Sequence, residues 1–541
     1  MVKKKERPPL AGLLVQGLLL AGVLPGLVVA APGALELPPI PDKPKSELFK
    51  NAPAPWRDYL IQAREAERIA DPLQRCLSYP DLPGNQWPAG HAEAHCRLHA
   101  AHRYTHAEID GYLDRGQADE LDGQLDAMLA RHFSASDFGE DIDVAMEFLQ
   151  SSSDEAGRVS ARWLEAAPDS PYANLARGLH LRAAAGKARG GEYASETPRE
   201  NFARMSALIG QAIPLYEEAI RLEPRLLPAH TALIDAARLD SRAEVERAAV
   251  ERAKAIDPAC VELAARRMEA LQPKWGGSYE QMLALATELR VHVAERPLLA
   301  SHVAAPFGER GDRKILADEM DQEALEVLEI AIRTGSLEAY AKDAANVLMN
   351  SEDETVRDKD GWKALAYLLQ EARFSERSAW THRNIGRMLI RLAPAMGLIH
   401  LKRAAELEPE NTYVQYAIGA SLYNTGRHAD AERHYLVAVE DPEYRQRSLR
   451  ELTTMWMFDA GLERKAGAAR AKPYIDRLLA EYPGDGRAWL YRFAHDGATH
   501  GRVDDEVVQN FRKVADASDP PQADFLKRLD EATRLFRPPA E

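Results

Sequence analysis

The chain has 541 residues, 45% of them hydrophobic and 28% charged. That is too long for one compact core and too apolar to stay disordered, so several modules or one extended stack are expected. The 69 basic and 84 acidic residues leave a formal net charge of −15, which disfavours general nucleic-acid or anionic-membrane binding because both need a positive surface to displace counterions.

In chain order, the first element reads as an address. Lys3, Lys4, Lys5 and Arg7 precede a nearly continuous apolar run from Leu10 to Leu24, Pro25-Gly26 breaks it, and Val28-Val29-Ala30 supplies small residues. This is the pattern of a secretory signal peptide (residues 1–30) cut after Ala30, and it predicts an exported, periplasmic protein in a bacterium. The competing reading is an uncleaved inner-membrane anchor, since residues 10–31 are just long enough to span a bilayer. Either way, membrane contact is confined to that segment. Residues 31–55 are Pro-rich and aperiodic, as in a linker.

Residues 56–135 read as an N-terminal helical module, with helical patterns over 56–70, 92–101, 105–113 and 119–131. The stretch from Leu77 to His91 is dense in turn residues and is flanked by Cys76 and Cys96. In an oxidising compartment these two are expected to pair, and the crosslink would stabilise the fold by about 3 kcal/mol in the loop-entropy model. Two buried thiols are the alternative. Cys260 is left over and reads as a core residue. His91, His95 and His99 recur every four residues on one helix face, a spacing at which imidazoles can grip zinc or copper. Ala92 stands where a zinc protease carries glutamate, so a solvated or capping histidine cluster competes with the metal reading.

Residues 136–375 continue as helical repeats. An acidic segment, residues 137–143, lacks calcium-loop spacing and reads as a helix N-terminus. Pro168-Asp-Ser-Pro171 stops one helix and starts the next. A long helix pair, 173–185 and 201–222, surrounds a Gly-rich turn at 186–195. The ending Ala219-Ile-Arg-Leu-Glu-Pro224 returns as Ala253-Lys-Ala-Ile-Asp-Pro258, and Pro409 is followed by Pro442; the steps are 258 − 224 = 34 and 442 − 409 = 33 residues. That period is one of a helix–turn–helix repeat whose units stack because none buries its apolar face alone. In Trp275-Gly-Gly-Ser278, the glycines are expected to turn, Ser278 to cap the next helix, and Trp275 to pack beneath it. No two-residue alternation marks a strand. The fold class expected is all-α: a right-handed α-solenoid of tetratricopeptide-like helix pairs with an N-terminal helical module.

Three segments, Leu73-Gln-Arg-Cys-Leu-Ser-Tyr-Pro-Asp-Leu-Pro-Gly84, Ala188-Arg-Gly-Gly-Glu-Tyr-Ala-Ser195 and Pro273-Lys-Trp-Gly-Gly-Ser-Tyr-Glu-Gln-Met-Leu283, resemble the bacterial domain-of-unknown-function 4034 family over roughly the middle half of the chain. The resemblance implies a helical, exported bacterial protein and assigns no activity. Residues 376–541 resemble tetratricopeptide repeats: Ile418-Gly419, Leu422, Gly426, Ala431, Tyr435 and Ala438 stand at that motif's spacing. A preceding unit carries Ile385-Gly386 and Leu389, with Pro394 interrupting it.

No nucleophile turn, phosphate loop or haem motif is present, so neither a catalytic residue nor a cofactor is expected. The function expected is that of a non-enzymatic scaffold or adaptor in the cell envelope, binding a protein or peptide and not nucleic acid. The alternative is a metal-dependent envelope enzyme built on His91, His95 and His99. In such repeats the first helix of each pair lines the groove. That places Trp380, Arg383, Asn384 and Arg387 in one unit and Tyr413, Tyr416, Ala420 and Tyr423 in the next on the binding face. Arg383 and Arg387 would hold a carboxylate, with tyrosines adding contact area. The competing reading is that both arginines are solvated or paired with nearby glutamates.

Overall fold

Prolines and capping side chains cut this chain into helices at regular intervals. Ser170 accepts from the Ala173 amide at 3.0 Å, and Pro171 takes the first position of the helix Pro171–Arg189. Asp321 does the same for Gln322–Thr334 at 2.9 Å. The Asp358 carboxylate accepts from the amides of Gly361, Lys363 and Ala364, starting Trp362–Phe374. Such caps satisfy the amides that a helix start leaves unpaired.

The structure is a computed structural model that describes residue 44 and residues 47–536, except 135–138, 193, 337–338 and 376–377. The leader, its cleavage site and most of the linker lie outside the described residues. Among the described residues all regular structure is helical and no strand occurs. Successive helices pack in pairs: Pro171–Arg189 on Arg199–Leu222, Leu227–Leu239 on Ala243–Ile256, Leu299–Leu316 on Gln322–Thr334 and Ala339–Asn350 on Trp362–Phe374. The series continues with Ala379–Leu389 on Pro394–Leu407, Thr412–Tyr423 on His428–Val439, and Arg464–Glu481 on Gly486–Thr499. Each pair packs on its sequence neighbours, so this is an α-solenoid.

Glycine sets the closest crossings. A Cβ on Gly178 would lie 2.4 Å from the buried Tyr216 ring, and one on Gly419 would lie 2.9 Å from Tyr435. Gly419, Leu422, Ala431 and Tyr435 thus pack as the repeat spacing predicts, the last three of them fully buried.

The N-terminal residues fold back onto the middle of the chain. The helix Ala54–Ala66 lies on Trp362–Phe374, with the Tyr59 hydroxyl donating to the Ala366 carbonyl at 3.3 Å. Cys76 and Cys96 form the expected disulfide, with a Cα–Cα distance of 5.7 Å. The loop it closes is held to the repeats from both sides. Trp87 Nε1 donates to the Ile332 carbonyl at 2.7 Å, and the Gln86 amide to Arg333 at 2.9 Å. From below, Arg373 donates to the Cys76 carbonyl at 2.9 Å and to Asp81 at 3.0 Å. Between these contacts, Trp362–Phe374 is buried on every side from Ala364 onward. Its polar residues Gln370, Glu371 and Arg373 are therefore buried together with its apolar ones.

Three local expectations are corrected. Gly186 does not begin a turn: the helix runs on to Arg189 and turns at Gly190. Pro394 does not interrupt its unit. It opens the helix Pro394–Leu407, where a missing amide costs nothing. Gly276 adopts a left-handed turn (φ +91°) and Ser278 caps the helix Tyr279–Arg290 as expected, but Trp275 is 58% exposed and does not pack beneath it.

A candidate docking face on the C-terminal repeats

Ala379–Leu389 and Thr412–Tyr423 present their predicted residues beside a third helix, Pro442–Thr454. The face is built by three-and-four spacing: Tyr413, Tyr416, Ala420 and Tyr423 on one helix, and Tyr444, Arg447, Glu451 and Thr454 on the next. The two rows meet along their length. Tyr413 and Tyr444 have ring centroids 5.7 Å apart. Arg447 lies over the Tyr416 ring at 4.6 Å, and the Tyr416 hydroxyl donates to Glu451 at 3.3 Å. Farther on, Tyr423 donates to Asp459.

Burial raises the Tyr413 hydroxyl pKa, and the positive charges of Arg387, Arg447 and Arg383 all pull it back down, so all three act on this face electrostatically. Arg383 pairs with Glu408 at 3.4 Å, as the competing reading expects. Arg387 instead donates to the Asn384 side chain at 3.3 Å. Among the described residues neither Arg387 nor Arg447 has a carboxylate within ion-pair distance. Asn384 is turned to its own helix, donating to the Trp380 carbonyl at 2.9 Å. Trp380 is half-buried beneath Lys342, whose Nζ is 5.8 Å from the ring, so it acts as a wall. Tyr416 is only 4% exposed and forms the floor.

Sequence reasoning missed Tyr444, Arg447 and Glu451, although they repeat the same spacing one unit later. It also missed the π-turn Met455–Asp459, into which the helix widens after Thr454. This turn buries Trp456 and leaves Phe458 56% exposed. Single π-turns inside α-helices are frequent at functional sites. Phe458 stands 6.5 Å from Tyr491, whose hydroxyl is 2.8 Å from Thr454 Oγ1.

The histidine helix His91–Ala100 is placed differently. His91 is fully buried, with its ring nitrogens 2.8 Å from the carbonyl oxygens of Pro297 and Gly335. It fastens the N-terminal loop to the repeats, and neither nitrogen is open to a metal. His95 stacks edge-on against Phe374 at 4.9 Å, and His99 lies at the exposed end of the helix. Among the described residues no group of three or more His, Cys, Asp or Glu side chains is placed to hold a metal ion. Cys260 is buried and caps its own helix through Sγ.

No family model matches the chain, and no curated protein matches it. Among solved structures, a monomeric mutant of IFIT1 with m7Gppp-AAAA shares 11% identity, covering 84% of this chain and 94% of its own, at a TM-score of 0.21. A circular tandem repeat protein with novel repeat topology shares 15% identity, covering 80% of this chain and 98% of its own, at a TM-score of 0.16. Likeness at these scores carries no argument about what this chain binds.

Proposed function

We propose that the protein is an exported, non-enzymatic scaffold whose C-terminal repeats dock a segment of a partner protein that carries carboxylates. The single observation behind this reading is the pair Arg387 and Arg447. Arg447 lies over the Tyr416 ring beside Tyr413 and Tyr444, Arg387 acts electrostatically on the Tyr413 hydroxyl, and among the described residues neither has a carboxylate within ion-pair distance, in a chain whose net charge is negative. Guanidinium groups beside aromatic surface bind carboxylates in two-pronged geometry, and tyrosine supplies contact area at low entropy cost. The leader-like first thirty residues support the exported address.

The test uses full-length protein lacking only the leader, and acetylated, amidated peptides rich in glutamate. Changing Arg383 and Arg387 together to Ala should weaken binding by about 2 kcal/mol or more, with helix content unchanged by circular dichroism. Restoring lysine at both positions should recover only part of the loss, because an ammonium group lacks the planar fork. Equal affinity in the wild type and the double alanine variant removes this face from consideration.

A further inference from the structure

A cavity of about 440 Å³ lies apart from the docking face, between the histidine helix His91–Ala100, residues 143–150 and the helix Val261–Ala270. A smaller recess of about 30 Å³ shares Asp143, Gln150, Glu262 and Arg266 with it. Four carboxylates and three guanidinium groups line the two spaces. Arg103 pairs with Glu147 at 2.7 Å, and Arg266 pairs with Glu262 at 3.2 Å and Asp235 at 3.1 Å. Arg182 acts electrostatically on Asp235. Asp143 is left over. Among the described residues neither of its oxygens has a hydrogen-bond partner, and both are closed to solvent. The charged groups acting on it from other elements do not supply a partner: His132 bonds Asp257 at 2.9 Å, Arg296 donates to the His132 carbonyl, and Glu262 and Glu140 oppose a further negative charge. A buried carboxylate of this kind is unfavourable until a proton or a cation meets it.

We propose that this cavity binds a small organic cation, an ammonium or guanidinium compound, whose charged head meets the carboxylate of Asp143. The lining is one positive charge short, which fits a monocation. Among the described residues no group of three or more His, Cys, Asp or Glu side chains is placed to hold a metal ion, and a divalent cation needs such a set. An ammonium or guanidinium head instead brings its own N–H donors, for which Asp143, Glu262 and the Gln150 carbonyl oxygen are acceptors. Leu98 and Val144 give a short carbon chain an apolar wall, and the volume is that of a small-molecule pocket. Asp143 lines both spaces, and a change of its rotamer turns the carboxylate into the larger one. Burial pushes its carboxyl up to about 7, so near neutral pH the incoming cation takes the place of a proton, which leaves to solvent. The site is independent of the docking face.

The experiment is titration calorimetry on the full-length protein without its leader. The probes are butylamine, 1,4-diaminobutane and butylguanidine, with butanol and butyramide as neutral controls and sodium, potassium and magnesium chlorides as inorganic ones. At pH 8 at least one organic cation should bind once per chain, and the neutral compounds should not. These cations keep their charge at pH 6 and pH 8. The ionised share of Asp143 falls from about 90% to about 10% between those values, so affinity should be about tenfold weaker at pH 6. Asp143→Asn should weaken binding at least tenfold at pH 8 and remove most of the pH dependence. Val144→Trp keeps the carboxylate but fills the larger cavity, and should weaken binding as much. Circular dichroism checks that both variants keep wild-type helix content. If no organic cation binds, if Asp143→Asn binds as the wild type does, or if an inorganic cation binds in their place, the proposal is overturned. Glutamate-rich peptides should bind Asp143→Asn and wild type equally, so failure of this site leaves the docking face standing.

Discussion

Gly178 offers the sharpest test of how the repeats are held together. It sits within Pro171–Arg189, where a Cβ would approach three carbons of the Tyr216 ring at 2.4, 2.8 and 2.9 Å. Tyr216 has no exposed surface into which to swing. Alanine at this position must push Arg199–Leu222 outward, and overpacking of this kind costs about 1–3 kcal/mol. The gain of alanine over glycine within a helix returns about 1 kcal/mol. With contacts this short the upper part of the range applies, so Gly178→Ala should lose about 1–2 kcal/mol net. Gly186 provides the control on the same helix. Nothing lies within 4 Å of its added Cβ, so Gly186→Ala should gain about 0.5–1 kcal/mol. Hydrogen exchange of the amides in Pro171–Arg189 and Arg199–Leu222 is the suitable assay, because a repeat array opens locally and not in one step. Protection should fall in the first variant and rise in the second. If both variants protect those amides equally, the close crossing is not what holds this pair.

Replacing Cys76 and Cys96 together by serine should release the loop between them. The loop-entropy relation for a separation of 20 residues gives a loss of about 3 kcal/mol, read as new proteolytic cleavage within residues 79–90. Asp143 carries the pH dependence. Burial pushes its carboxyl up to about 7, and neither oxygen has a hydrogen-bond partner. Its folded pKa therefore lies above the unfolded value. The stability it contributes is present below pH ~4 and is lost as pH rises through about 7. Asp143→Asn should remove that slope from denaturation curves and exceed the wild type in stability at pH 8. Elemental analysis of dialysed protein should find no zinc or copper near one per chain, because the carbonyl oxygens of Pro297 and Gly335 occupy His91. A stoichiometric metal lost on His91→Ala would revive the metalloenzyme reading.

The repeat period, the helix caps and the Cys76–Cys96 pair were legible in sequence because each depends on local chemistry. Proline positions fix helix ends, Ser278 caps the helix that begins just after it, and a turn-rich loop between two cysteines invites a crosslink. Arg383, Arg387 and the tyrosine row could be placed on one face by spacing alone. Beyond reach were the features set by contacts distant along the chain. Trp362–Phe374 is buried on all sides only because Ala54–Ala66 and the disulfide loop return to cover it, contacts that bridge some three hundred residues. His91 stands at metal-ligand spacing, yet Pro297 and Gly335 decide its role. The π-turn that exposes Phe458 has no signature of its own. Trp456 is held inward by its hydrogen bond to Glu432 and by Arg470 over its ring, both from neighbouring helices. Short-range periodicity specifies the helices and their faces; which face is covered, and by what, is decided when the chain closes on itself.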